Sequence, residues 1–207
     1  MTIDAIEFFA DPCCPWSWNT SRWLVEVTAL LDLDVTWRSM SVAELNREKE
    51  VSAHFAPKLE CSRRMARTFE ALHAAGRNDD HARLFTAYGA HLHLDDRSPD
   101  DDLEIASATE AGLDPDEILS FAMDPTWDAG ITASVAEAIE LAGPDVGSPI
   151  IAVPALGRGF MGPIVSPPAR GDDAIAVWRM VETAFSVPVL FELKRGRRDP
   201  VTFGPGR

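Results

Sequence analysis

Asp11-Pro12-Cys13-Cys14-Pro15-Trp16-Ser17-Trp18 is the stretch that decides how the rest of the chain is read. A β-rich apolar run, Ile3-Asp4-Ala5-Ile6-Glu7-Phe8-Phe9, leads straight into it and reads as a buried strand followed by a sharp turn. After it, no glycine occurs from Cys14 to Leu31, and Trp16, Trp23, Leu24, Val27, Leu30 and Leu31 recur near helical spacing. Pro15 suits the first turn of that helix, where its missing N–H removes no helical bond. Cys14 therefore falls where a strand meets a helix amino end, beside unpaired amides and the positive end of the helix dipole. Both favour thiolate over thiol, so the spacing predicts a lowered pKa and a nucleophile near neutral pH. Ser17 lies one turn on, within reach of the Cys14 sulfur.

Outward from this segment, Asp34 to Met40 alternates as a second strand. From about Val42 to Leu141 the pattern turns helical almost throughout. Asp100 to Asp102 open a helix ending near Gly112, and Asp114-Pro115-Asp116-Glu117 is a strong start signal. Asp124-Pro125 repeats the device before a helix from Ala133 to Leu141, which Gly143-Pro144 stops. Strand character returns at Pro149 to Val153 and Gly159 to Gly162, joined by a turn, and a last helix spans Asp172 to Phe185. The order is β-α-β, a helical block, then β-β-α.

Composition excludes several functions. The 207 residues carry a formal charge of −14, which argues against nucleic acid, because a phosphate backbone needs a basic surface. Apolar runs such as Val187–Leu190 fall far short of a membrane span. Met1-Thr2-Ile3-Asp4 has neither a basic region nor a long apolar one, so a cytoplasmic location is expected. Lys194-Arg195-Gly196-Arg197-Arg198 reads as a solvated tail. The acidic run Asp95 to Asp102 reads as loop plus helix start, since its spacing does not match a calcium loop. His91 and His93, two apart, do not share a helical face and read as surface residues, so no metal is expected. Three cysteines cannot build a disulfide framework and are expected as thiols in a reducing compartment. Cys13 reads as packing or a bystander, and Cys61 as core of the helical block.

Cys14-Pro15-Trp16-Ser17 resembles the C-x-x-C active site of DsbA-like thioredoxin-superfamily proteins, with serine in place of the second cysteine. The wider pattern resembles the actinobacterial mycothiol-dependent nitroreductase family. Phe9-Ala10-Asp11-Pro12, Trp18, Thr20 to Trp23, Met40-Ser41, Leu45-Asn46, Asp145 to Pro149, Gly162-Pro163 and Phe191 to Arg195 follow it in order. The resemblance implies an α/β thioredoxin-like fold, residues 1–41 and 142–207, interrupted by an all-helical insertion at 42–141. It implies a cis peptide at Ser148-Pro149 facing Cys14, at an edge where a substrate or thiol docks. It implies catalysis by Cys14 and Ser17, with Pro15, Trp16, Asn46, Ser148 and Pro149 contacting substrate or thiol. For Asn46, a substrate contact and a helix cap both remain open. Lacking a second cysteine at Ser17, a mixed disulfide on Cys14 must be resolved by an external thiol. The family suggests mycothiol, replaced by glutathione in a glutathione host. The electrons would go to disulfides or electrophiles such as nitroaromatics, in a monomer or homodimer. Two alternatives share the fold. Kappa-class glutathione transferases and 2-hydroxychromene-2-carboxylate isomerases hold a thiol cofactor on S-P-Y-S-like motifs without redox change. A binding module would keep the fold alone.

Overall fold

A computed structural model describes residues 2–53, 55–196 and 199–204. Strand β1, Ala5–Ala10, opens the chain and helix α1, Pro15–Leu31, follows it. Strand β2, Asp34–Ser39, runs parallel to β1, with Phe8 opposite Trp37. Six helices follow: α2, Val42–Leu45; α3, Ala56–Ala74; α4, Asn78–His93; α5, Asp101–Glu110; α6, Pro115–Met123; and α7, Asp128–Ala142. Strands β3, Ile150–Val153, and β4, Arg158–Met161, then form an antiparallel pair, and α8, Gly171–Ser186, closes the order. The sheet runs β2-β1-β3-β4, with β3 antiparallel to both neighbours. This is a thioredoxin-like fold with a helical insertion between β2 and β3.

The sheet is covered on both faces, so the successive residues Phe8 and Phe9 of β1 are both wholly buried. Successive side chains point to opposite faces. Phe8 and Ile151 therefore join the core of Trp23, Trp37, Phe69, Phe85 and Phe185. Phe9, Ile150 and Ala152 join the separate core of Met40, Ile131, Val135 and Ala138 on the other side. Capping follows the sequence signals in two of three places. The Asp100 and Asp114 carboxylates accept from Leu103 N–H at 2.9 Å and Asp116 N–H at 3.0 Å. Asp124 caps only a short 3-10 turn, Pro125–Trp127, and α7 begins at Asp128, earlier than the pattern suggested.

Helix α1 is more buried than its apolar stripe predicted. Asn19, Thr20 and Ser21 are wholly buried. Asn19 donates to the carbonyls of Val165 and Thr202, and Thr20 to that of Pro163 at 2.7 Å. These polar residues fasten the segment after β4 and the last described residues to α1. Helix α1 also meets α4 closely at Gly89, where a Cβ would run into the indole of Trp18. Gly89→Ala gains helix propensity but overpacks this contact. The expected net loss is about 2 kcal/mol, or roughly 4–8 °C in Tm, read by thermal unfolding.

His81 of α4 is fully buried, stacked on Phe69 at 3.9 Å, with neither ring nitrogen bonded. Burial pushes its pKa from 6.5 down to about 3. A histidine held neutral contributes stability that is whole above pH 6.5 and is lost as pH falls toward 3. His81→Leu cannot take up that proton on unfolding. Urea unfolding between pH 4 and 7 should show a shallower acid loss in the variant, by up to ~1.4 kcal/mol per pH unit.

Candidate active site

The chain leaves β1 at Ala10, turns through Asp11, Pro12 and Cys13, and enters α1 at Pro15. Cys14 is the N-cap, with extended backbone, and its N–H donates to the Asp11 carbonyl at 3.1 Å. No side-chain bond caps the helix there, so the Cys14 sulfur stands at the amino end. Cys14, Pro15 and Trp16 are half-buried while Ser17 and Trp18 are buried. The segment thus shows three residues outward and anchors the next two.

Across from it lies the loop before β3, and the Ser148-Pro149 peptide there is cis. Cys14 Sγ donates a long sulfur bond to the Ser148 carbonyl at 3.8 Å, and the hydroxyls of Ser17 and Ser148 lie 2.7 Å apart. Gly162 N–H donates to the Pro149 carbonyl at 2.9 Å, fixing that loop to the segment leaving β4. Cys14, Ser17, Ser148 and Pro149, some 130 residues apart in sequence, come together. Asn46 belongs to the insertion. It ends α2 and its amide donates to the Val42 carbonyl at 2.8 Å, so of the two readings the helix cap is the one this contact serves.

The electrostatics differ from the sequence expectation. Burial pushes the Cys14 thiol above its ordinary value, and the nearby Asp11 charge adds to this. The backbone and hydroxyl of Ser17 and the backbone of Trp16 pull the other way without winning. The helix amino end does supply stabilising amides, as its position implied. What the linear pattern could not count is the protein packed around the sulfur.

Asp11, read from sequence as a turn residue, is a fully buried carboxylate. Its Oδ1 accepts from Cys13 N–H at 2.8 Å, and its Oδ2 from Val42 N–H at 2.7 Å and Ser62 Oγ at 2.5 Å. It therefore binds the Cys14 loop to α2 and α3 at once. Burial pushes its carboxyl up while these donors pull it down. An Asp directly after a buried strand and before proline is the one signal that could have marked it, since such residues seek backbone donors.

Two further expectations are corrected. Cys13 and Cys61 are not free thiols, because they form a disulfide between the Cys14 loop and α3, with Cα atoms 6.9 Å apart. Cys13 is no bystander, and Cys14 alone retains a free thiol. Nor is His93 a surface residue. Its Nε2–H donates to the Pro12 carbonyl at 2.8 Å, and its ring lies against Trp18 and Phe203. Burial pushes its pKa down to about 4, keeping it a neutral donor to the loop. His91 is held by Asp95 and Glu110 at 2.9 and 3.0 Å. No group of three or more His, Cys, Asp or Glu suited to a metal occurs among the described residues, and none of their helices is long and apolar enough to cross a membrane. Lys194 to Gly196 are exposed, whereas Arg197 and Arg198 lie outside the described residues.

The family model described as Rv2466c-like, mycothiol-dependent nitroreductase Rv2466c, matches residues 13–195. The uncharacterized protein Rv2286c of Mycobacterium tuberculosis is 25% identical over 203 residues, covering 93% of this chain and 82% of that protein. Among solved structures, a 2-hydroxychromene-2-carboxylate isomerase superposes with a TM-score of 0.60 at 12% identity, covering 88% of this chain and 94% of the other. The oxidoreductase DsbA from Xylella fastidiosa superposes with a TM-score of 0.52 at 18% identity, covering 88% and 84%. These two show the fold that the chain shares.

Proposed function

The chain belongs to the Rv2466c-like family of mycothiol-dependent nitroreductases, and from that premise we propose that it works as a monothiol oxidoreductase through Cys14. The observation that carries the reading is the pairing of cysteines: Cys14 is the one free thiol, and it faces the Ser148-Pro149 loop. The thiol partner we assign is mycothiol, after the family, with glutathione as its counterpart in a glutathione host. A reaction fed by reduced thiol suits a reducing compartment, which by this reading is the cytoplasm.

Ionised Cys14 attacks a disulfide that carries the small thiol, at the small thiol's sulfur, forming a mixed disulfide with it and releasing the other partner as a thiolate. A second small thiolate then attacks the outer sulfur of that adduct, returning Cys14 and carrying away a symmetric disulfide. For a nitroaromatic acceptor, two thiols become one disulfide while the nitro group becomes nitroso and water leaves. Ser17 has a defined part in either route. Its hydroxyl can donate to the Cys14 sulfur while accepting from Ser148, so charge at sulfur is met by a short chain of donors. Pro15 and Trp16, half-buried and next to Cys14 in the chain, are assigned to the wall of the thiol site, with the Ser148 carbonyl and Pro149 as the edge for the incoming thiol.

Exposure to oxidised mycothiol, and separately to oxidised glutathione, followed by intact mass, tests this reading. One thiol adduct should appear, map to Cys14 and vanish in Cys14→Ser. Absence of any adduct would turn the assignment toward a second reading. The burial that holds the thiol above its ordinary value favours that reading: a motif that seats a thiol cofactor without exchanging electrons with it.

A further inference from the structure

We propose that the Cys13–Cys61 disulfide is a second thiol–disulfide exchange site, opened by a low-molecular-weight thiol, which locks the Cys14 loop onto α3. A disulfide in a protein that works among reduced thiols is more often a redox device than a structural staple. This one joins two elements 48 residues apart, and its loop partner directly precedes the free thiol. The same seam is also fastened by the Asp11 carboxylate, whose oxygens accept from Val42 and Ser62 on the insertion, and by His93 of α4, which donates to the Pro12 carbonyl. Opening the disulfide would leave the loop held on that side by Asp11 and His93.

The two sulfurs are not equivalent. Cys61 sits within α3, 4% exposed, and the Tyr88 hydroxyl lies 3.0 Å from its sulfur. Against a disulfide sulfur that hydroxyl is the donor. Tyr88 is buried, and burial pushes its phenol further up, so it keeps its proton. Cys13 lies in the turn rather than inside a helix and is 8% exposed. The chemistry therefore has a direction. A small thiolate attacks the Cys13 sulfur, the S–S bond breaks, and its electron pair passes to the Cys61 sulfur, where Tyr88 donates. A second thiolate attacks the adduct on Cys13 and leaves as a symmetric disulfide. The Cys13 and Cys61 thiolates each take up a proton. Two small thiols are oxidised for one disulfide reduced.

The exchange rests on the proposed function for its premise that the protein works among reduced thiols, but its test does not need Cys14. In a Cys14→Ser variant, graded reduced glutathione followed by acid quench and peptide mapping should find the mixed disulfide on Cys13 and not on Cys61. Adding Tyr88→Phe should make opening about tenfold slower, the scale of one hydrogen bond to the departing charged sulfur. An adduct on Cys61, or no opening below concentrations that unfold the protein, overturns the exchange site. In the wild-type chain, opening should raise the rate of Cys14 alkylation by iodoacetamide severalfold, because the loop is freed from its packing. Cys61→Ser should show the raised rate without added thiol. An unchanged rate in the wild-type chain overturns the lock.

Discussion

Cys14→Ser should abolish thiol-dependent turnover, by on the order of 10³-fold or more, while leaving the fold unperturbed. The loss is large because Cys14 is the cysteine whose sulfur meets the Ser148 carbonyl, whereas Cys13 and Cys61 face one another across the seam to α3. The fold should survive because Cys14 is a half-exposed N-cap without a side-chain capping bond, and serine is among the best residues at such a position. Thermal unfolding should therefore be equal or slightly improved, and turnover of a disulfide or nitroaromatic reporter with mycothiol should fall to background. Retained turnover in a folded variant would end the assignment. The pH profile carries its own sign. With burial holding the thiol above its ordinary value, alkylation of Cys14 should keep rising through and beyond pH ~8.5. A plateau reached near pH 7 would show that the amides at the helix start outweigh the packing after all.

Asp11→Asn should cost the fold about 3 kcal/mol, or roughly 6–12 °C in Tm. The amide is the same shape, but only one of its two heads accepts. The carboxylate takes donors on both oxygens, from Cys13 on one and from Val42 and Ser62 on the other. Whichever way asparagine is turned, its N–H₂ faces a donor, and a buried group loses its partner. The damage falls on the seam between the Cys14 loop and the insertion, so turnover should drop as well. The pH dependence again has a definite direction. A carboxyl raised above its unfolded value contributes stability as pH falls through the raised value, and loses it as pH rises. His81 and His93, lowered to about 3 and about 4, act oppositely and remove stability as pH falls below 6.5. The asparagine variant lacks the Asp11 gain, so its acid loss should be steeper than that of the wild type. Denaturant unfolding at pH 5 and pH 7 measures this. A variant as stable as wild type at both would mean that Asp11 carries none of the seam.

Most of the architecture was legible along the chain, because local patterns report local structure. Pro15 marked the start of α1, Asp100 and Asp114 marked two helix starts in the insertion, and the glycine after α7 marked its end. The site was legible in part. Cys14 and Ser17 sit one turn apart on a helix, and helical periodicity alone places them together. Ser148 and Pro149 were reached through resemblance to a family, since no periodicity relates residues more than 130 positions apart. Asp11, His93 and the Cys13–Cys61 pair were missed or misread. Each of them acts across the junction of sheet and insertion, and each looks ordinary beside its sequence neighbours.

Backbone propensity and hydrophobic spacing determined the order of elements, the helical interruption and the placing of a cysteine at a helix amino end. All of these are set within a few residues, where covalent connection does the work. Tertiary structure decided which cysteine keeps its thiol and which groups surround it. It also decided that burial, rather than the helix amides, governs the proton on Cys14. Desolvation depends on atoms brought in from the whole fold, and no stretch of chain carries that information alone.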